Sequence, residues 1–144
     1  MKFDYCPKNA DLGLLLIRIG LASVFIVHGV SKLQGIEGTI GFFAKLGLHP
    51  FFAYFVTGVE VIAGLAVLLG VFVQVAAGLL VGVMVFAIYL VKFQKGFLGG
   101  YEFDLMLLLV ALGIMFIGPG AYALEALRKN GHHTQASPPQ SADT

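Results

Sequence analysis

Charge is scarce in this sequence. Asp, Glu, Lys and Arg make up only 12% of its 144 residues, against ~25% in a soluble domain. Between Leu46 and Val91 they are represented by Glu60 alone, and between Leu105 and Leu124 by nothing. So little polar surface cannot cover a water-soluble globule of this size, which excludes an ordinary cytosolic enzyme and a disordered chain. Cysteine is nearly missing too. Cys6 alone can close no intramolecular disulfide, which excludes a secreted disulfide scaffold, and it cannot hold an iron–sulfur cluster. Tryptophan is absent, and neither sign of charge dominates: nine Lys and Arg against eight Asp and Glu leave a net +1. No basic stripe is available for phosphates, so nucleic acid is not a partner. What remains is 58% hydrophobic with a mean hydropathy of +0.91. That is an integral membrane protein, whose first partner is the lipid bilayer.

A spanning helix needs ~20 largely apolar residues, and four stretches qualify. The first runs from Asp11 to Val30 and carries Arg18 and His28; the second, from Pro50 to Leu69, carries Glu60. The third runs from Val73 to Val91 and the fourth from Tyr101 to Ile117. The first apolar run is too long for a cleavable signal peptide and follows a polar decapeptide, so it reads as a retained helix. Asp11 suits its N-cap. Ile36, Ile40, Phe43 and Leu46 recur at helical spacing, predicting a short amphipathic helix in the interface. Gly47 closes it and Pro50 opens the second span. The tight turn Gly70-Val71-Phe72 makes the second and third spans antiparallel neighbours. Gly96 and Gly99-Gly100 break the chain before the fourth span, and Gly118-Pro119-Gly120 ends it. Ala121 to Lys129 reads as a further short interfacial helix.

The fold class is therefore all-α: an integral membrane four-helix bundle with a short interfacial helix between the first two spans. A polar segment (1–10) precedes the transmembrane domain (11–129), and a disordered polar tail (130–144) follows it. An even number of spans puts both termini on one side. Lys2, Lys8, Arg128 and Lys129 on that side balance Lys32, Lys45, Lys92 and Lys95 on the other, so the positive-inside rule ties. We place the termini in the cytoplasm and the protein in the cytoplasmic (inner) membrane. Small residues mark packing faces: Gly78 and Gly82 form a GxxxG in the third span, while Ala53, Thr57 and Gly64 share a face with Glu60.

Ionisable groups at membrane depth are costly and point to function. Arg18 lies about two turns into the first span and Glu60 mid-way along the second. Their pairing as a buried ion pair is predicted, serving either to fix helix register or as a proton or substrate relay. His28 and Lys32, one turn apart, share a face. The fourth span opens at the same level with Tyr101, Glu102 and Asp104. Glu102 and Asp104 point to roughly opposite sides, so one of them faces His28 and Lys32, and spacing alone does not choose.

These residues carry a resemblance. Arg18 with Phe25-Ile26-Val27-His28-Gly29-Val30-Ser31-Lys32-Leu33, then Gly41-Phe42-Phe43 with Gly47-Leu48, Gly58-Val59-Glu60 with Gly64, Gly99-Gly100-Tyr101-Glu102 and Gly118-Pro119-Gly120 resemble the DoxX family, in order, over residues 11 to 127. The resemblance implies a four-helix bacterial or archaeal membrane protein. It also implies a link to membrane redox chemistry, since relatives include the quinone-reducing subunit of a thiosulfate dehydrogenase. Arg18, His28, Lys32, Glu60 and Glu102 match the family's recurring polar positions, which selects Glu102 over Asp104 as the acid facing His28 and Lys32.

Haem is not expected, because His28 is the one histidine inside a span. No ligand motif announces a metal, although His28, Glu102 and Asp104 could be drawn together around one. A quinone needs only hydrogen-bonding groups beside an apolar slot, and His28, Lys32, Tyr101 and Glu102 would supply them. The expected catalytic trio is His28, Lys32 and Glu102. Electrons would have to come from elsewhere, so the first reading is a quinone-interacting subunit or partner of a membrane redox system, with a redox partner subunit or a second copy of itself. A small four-helix transporter and a structural or assembly subunit of a larger complex are the alternatives.

Overall fold

The structure, a computed structural model, describes residues 9–133. Of the expected polar segment (1–10) and tail (130–144), residues 1–8 and 134–144 lie outside the described residues; Ala10 already belongs to the first helix, and the last helix runs on through Asn130 to His133, where the tail is expected to begin. The chain runs α1 (Ala10–Gln34), α2 (Ile36–Lys45), α3 (Pro50–Leu69), α4 (Val73–Ala87), α5 (Glu102–Ile117) and α6 (Leu124–His133). A π turn at Ile88–Lys92 and a 3₁₀ turn at Phe93–Lys95 extend α4, and a kinked segment at Phe97–Tyr101, non-helical at Leu98 and Gly99, leads into α5. Four segments are long and apolar enough to span: Ala10–Gln34, Pro50–Leu69, Val73–Lys95 and Phe97–Ile117. α1 packs on α3, α3 on α4, and α4 on α5, while α1 and α5 also touch and α2 lies against α3. This is the predicted four-helix bundle with its short helix between the first two spans.

Local chemistry explains most boundaries. Pro50 occupies the first turn of α3, and the His49 ring accepts from the Phe51 N–H, satisfying one orphan donor. Gly70 ends α3 in the left-handed region (φ 76°), where a side chain would be strained. A Cβ there would also strike Ala123 at 2.6 Å. The N-cap of α1 is not Asp11. Asn9 takes that place, its side chain accepting from Leu12 N–H at 3.0 Å. Asp11 lies inside the helix, where its Oδ1 accepts from Ala121 N–H at 2.9 Å and ties α1 to the segment after α5.

The core is apolar and small: Ala22, Ala53, Ala77 and Ala111 are fully buried among Phe25, Val67, Leu80 and Ile114. Large apolar side chains such as Ile62, Val75 and Phe116 point outward, as lipid contact allows. Between such helices lipid offers no hydrophobic driving force, so close contact of backbones matters most. The closest contact is the crossing of α1 and α3. A Cβ on Gly29 would lie 2.6 Å from Val61 Cγ2, and one on Gly64 would lie 3.0 Å from Ile26 Cγ1. The face of Ala53, Thr57, Glu60 and Gly64 is buried, as its small residues predict. The Gly78–Gly82 pair does less within the chain: a Cβ on Gly78 would meet only Met115 Sδ, at 3.5 Å, and one on Gly82 would meet nothing within 4 Å.

The crossing sets a register that separates Arg18 from Glu60. Gly29 sits by Val61 and Ile26 by Gly64, so each step up α1 matches a step back along α3. Extended to Arg18, the register reaches the turn at Phe72, twelve residues and about 18 Å from Glu60 at 1.5 Å per residue. The expected Arg18–Glu60 pair therefore does not form. Arg18 is buried and donates instead to three carbonyls: Nε to Val67 O at 2.9 Å, Nη2 to Leu68 O at 3.0 Å and Nη1 to Pro119 O at 2.9 Å. Two of these belong to the last turn of α3, where orphan carbonyls and the negative end of the helix dipole favour a cation. Arg18 thus joins α1, the end of α3 and the Gly118-Pro119-Gly120 turn.

Gly29→Ala is expected to destabilise the bundle by about 1–3 kcal/mol through overpacking, whereas Gly20→Ala, with nothing within 4 Å of its Cβ, should cost nothing. Unfolding of detergent-solubilised protein in increasing SDS measures both. Arg18→Met, which strands three carbonyls, should cost about 3 kcal/mol or more. Its effect should add to that of Glu60→Gln within about 0.5 kcal/mol, since the two residues share no contact.

Candidate functional site

The register that parts Arg18 from Glu60 brings Lys32 to Glu60. Lys32 Nζ donates to Glu60 Oε1 at 2.5 Å. The Lys32 side chain is 32% exposed and that of Glu60 only 3%, so the lysine reaches in from the helix end while the carboxylate is enclosed. A second pair forms on the other half of the bundle, where Lys92 Nζ meets Asp104 Oδ2 at 2.5 Å. Lys92 ends the π turn that extends α4, and Asp104 is buried in the first turn of α5. A π turn takes one residue more per hydrogen bond than an α turn and re-aims the side chains that follow; such insertions recur at functional sites.

Both pairs line one cavity of about 480 Å³. His28 stands on its α1 wall, one turn before Lys32, and α2 contributes Thr39, Phe42 and Phe43. Phe25, Val56, Met84, Phe103 and Leu107 supply much of the apolar wall. The interfacial helix is therefore part of the site. Phe43 is buried and stacks on Phe86 with ring centres 6.2 Å apart, which holds α2 against α4. Lys32 with Glu60 and Lys92 with Asp104 cancel in charge, leaving His28 and the Thr39 hydroxyl as further polar groups. Within Glu60 the two oxygens differ: Oε1 receives the lysine, while Oε2 is buried with no hydrogen-bond partner among the described residues.

His28, Lys32 and Glu60 thus meet at one cavity. Glu102 and Tyr101 do not line it. Glu102 Oε1 turns back to accept from Gly99 N–H at 3.0 Å, bracing the glycine turn before α5. Tyr101 stacks on Phe93 at 6.2 Å and meets Phe97 edge-on at 5.5 Å, in an aromatic cluster at that connection. The acid that faces the cavity from α5 is Asp104, the choice that spacing left open. His28, Glu102 and Asp104 do not converge, and among the described residues no group of three or more His, Cys, Asp or Glu side chains could hold a metal. The partner of Asp104, Lys92, carried no sequence signal beyond its place at the end of an apolar run.

The model of the family described as DoxX matches residues 13–93, which takes in α1 to α4 and every cavity residue before α5. The chain belongs to the DoxX family. It is 37% identical over 129 residues to a Bacillus subtilis protein named "Putative oxidoreductase CatD", covering 87% of this chain and 96% of that one. It is 29% identical over 125 residues to the Escherichia coli "Inner membrane protein YqjF", covering 83% and 95%. A second Escherichia coli relative, "Inner membrane protein YphA", is 36% identical over 81 residues, covering 55% of this chain and 57% of its own. No solved structure matches. Within this DoxX protein the matched region ends just past Lys92, so the α5 side of the cavity, with Asp104, lies beyond it.

The two ion pairs give an asymmetric expectation. Removing a lysine leaves a buried carboxylate alone, whereas removing a carboxylate leaves a lysine that can extend toward the headgroups. Lys32→Met should therefore cost about 3 kcal/mol or more, and Glu60→Gln clearly less. Lys92→Met and Asp104→Asn should repeat the pattern. SDS unfolding midpoints of the four single variants and two doubles measure it, with equal losses within each pair as the contrary result.

Proposed function

We propose that this DoxX-family membrane protein is a quinone-interacting subunit or partner of a redox system in the cytoplasmic (inner) membrane, and that its cavity takes the quinone ring. The observation that carries the proposal is the composition of that cavity. A volume of about 480 Å³ lies within the range of small-molecule sites, which are apolar with a few placed polar groups. Its charges cancel, which suits an uncharged ligand. Its aromatic and aliphatic walls suit a flat ring, and the spans around it sit where a lipid-soluble molecule is dissolved. The names of the relatives point the same way, one as an oxidoreductase and two as inner membrane proteins.

When bound, a quinone supplies two-electron, two-proton chemistry. The chain's own groups would hold the ring and manage its protons. Lys32 and Lys92 offer N–H donors beyond those used in their ion pairs, since an ammonium carries three. His28, exposed at the cavity wall, is the side chain type that exchanges protons near neutral pH. The side chains at the cavity carry no two-electron couple of their own, so in this reading electrons enter from a donor protein or subunit. A transporter built around a free mid-membrane carboxylate is less well served, because Glu60 is engaged by Lys32.

Purification from native membranes in mild detergent, followed by mass spectrometry of the extracted small molecules, tests the proposal. Quinone should co-purify with the protein and be lost from Ala87→Trp, which fills the cavity. His28→Gln should fold normally, keep quinone bound and lose donor-dependent quinone reduction in membranes. A protein that yields no quinone, and that none stabilises on addition, would overturn the proposal.

A further inference from the structure

From the same cavity we infer that the site prefers the reduced, hydroxyl-bearing form of its ring ligand, and that Glu60 sets the preference. The inference rests on the reading of the cavity as a quinone site and adds which redox form it holds more tightly.

The ground is the unequal state of the polar atoms around the cavity. Glu60 Oε2 is a carboxylate oxygen, buried, with no donor among the described residues. An ionised carboxylate only accepts, and an enclosed acceptor without a donor carries its full desolvation cost. The other polar atoms make weaker claims. Lys32 already meets Glu60 Oε1 and is a third exposed, so its remaining N–H groups have access to solvent. Lys92 is placed likewise, and Asp104 Oδ2, also buried and without a hydrogen bond among the described residues, already has that ammonium 2.5 Å away. What this wall lacks is a donor at Glu60.

A quinone carbonyl accepts and cannot donate. It can take a proton from Lys32 but leaves Glu60 Oε2 as it was. A hydroquinone hydroxyl does both, donating to the carboxylate while accepting from the ammonium. The terminal torsion of a glutamate is soft, so Oε2 can turn toward a donor in the cavity without moving α3. The two ligand forms differ by one hydrogen bond to a charged group, enough for about a tenfold difference in affinity. His28 faces the cavity from the same helix as Lys32 and can donate to either form, so it does not discriminate.

The experiment uses the full chain in detergent under anaerobic conditions, titrated with 2-methyl-1,4-naphthoquinone and with its reduced form. A second pair, 1-naphthol and 1-methoxynaphthalene, is not a quinone–hydroquinone couple and differs by the hydroxyl donor and one methyl group. Expected is about tenfold tighter binding of the reduced form over the oxidised one, and of naphthol over its methyl ether. Glu60→Gln, whose carboxamide can donate to a carbonyl, should abolish or invert the first preference. Equal affinities within both pairs, or tighter binding of the oxidised form, would overturn the inference while leaving the quinone site standing. Binding of none of the four overturns both. A preference that survives in Glu60→Gln would remove Glu60 from the account, and the naphthol pair keeps the test decisive should that variant fail to fold.

Discussion

The crossing of α1 and α3 at Gly29 and Gly64 is the constraint on which the rest of this molecule depends. Two backbones approach so closely there that a methyl group on Gly29 would overlap Val61. Such a contact tolerates no sliding, because the next residues along either helix are larger. One fixed register then decides the fate of every charge on α1. Arg18 arrives at the carbonyl end of α3, and Lys32 arrives at Glu60. The polar interactions follow from the steric one, since ion pairs at these positions could be satisfied in several ways but the glycine contact in only one.

The two ends of the bundle are consequently built differently. On the side of the termini, Arg18, Asp11, Gly70 and the Gly118-Pro119-Gly120 turn interlock through hydrogen bonds to backbone. Three donors of that guanidinium are spent on carbonyls, and no carboxylate takes part among the described residues. This end is closed. On the other side the helices are held by side chain pairs at the rim and by α2 laid against α3, with a cavity left between them. Charged groups there neutralise each other without filling the space, an arrangement suited to admitting a ligand.

The sequence made the architecture legible, because charge-poor runs of about twenty residues, the punctuation at Pro50, Gly70 and Pro119, and the spacing of Ile36, Ile40 and Phe43 each have a direct physical meaning. It also assembled His28 with Lys32, which lie one turn apart on one helix. What it could not supply was register between helices. Pairing Arg18 with Glu60 assumed that both sit at the same depth, and nothing in the linear order reveals an offset of twelve residues. The choice between Glu102 and Asp104 failed for a related reason. Which face of α5 turns inward depends on the glycine turn that starts it, where the Gly99 N–H draws Glu102 back. The π turn that ends at Lys92 re-aims that side chain in a way no periodicity count anticipates. Asn9 in place of Asp11 as N-cap shows a smaller version of the same effect: Asp11 is drawn to Ala121, 110 residues away in sequence.

Once register is known, the mid-membrane carboxylate takes on a different character. A glutamate paired through both oxygens would be a structural element only, and its lysine would be saturated with it. Glu60 is paired through one. The ion pair supplies a countercharge at one oxygen, and the other remains an acceptor inside an apolar space. Stability and binding therefore make separate demands on the same side chain. Lys32 answers the first, reaching in from the rim, and leaves the second to whatever occupies the cavity. The same division does not hold at Asp104, where the lysine meets the enclosed oxygen itself. Of the two pairs, only the one set by the glycine crossing has a buried carboxylate oxygen other than the one its lysine meets.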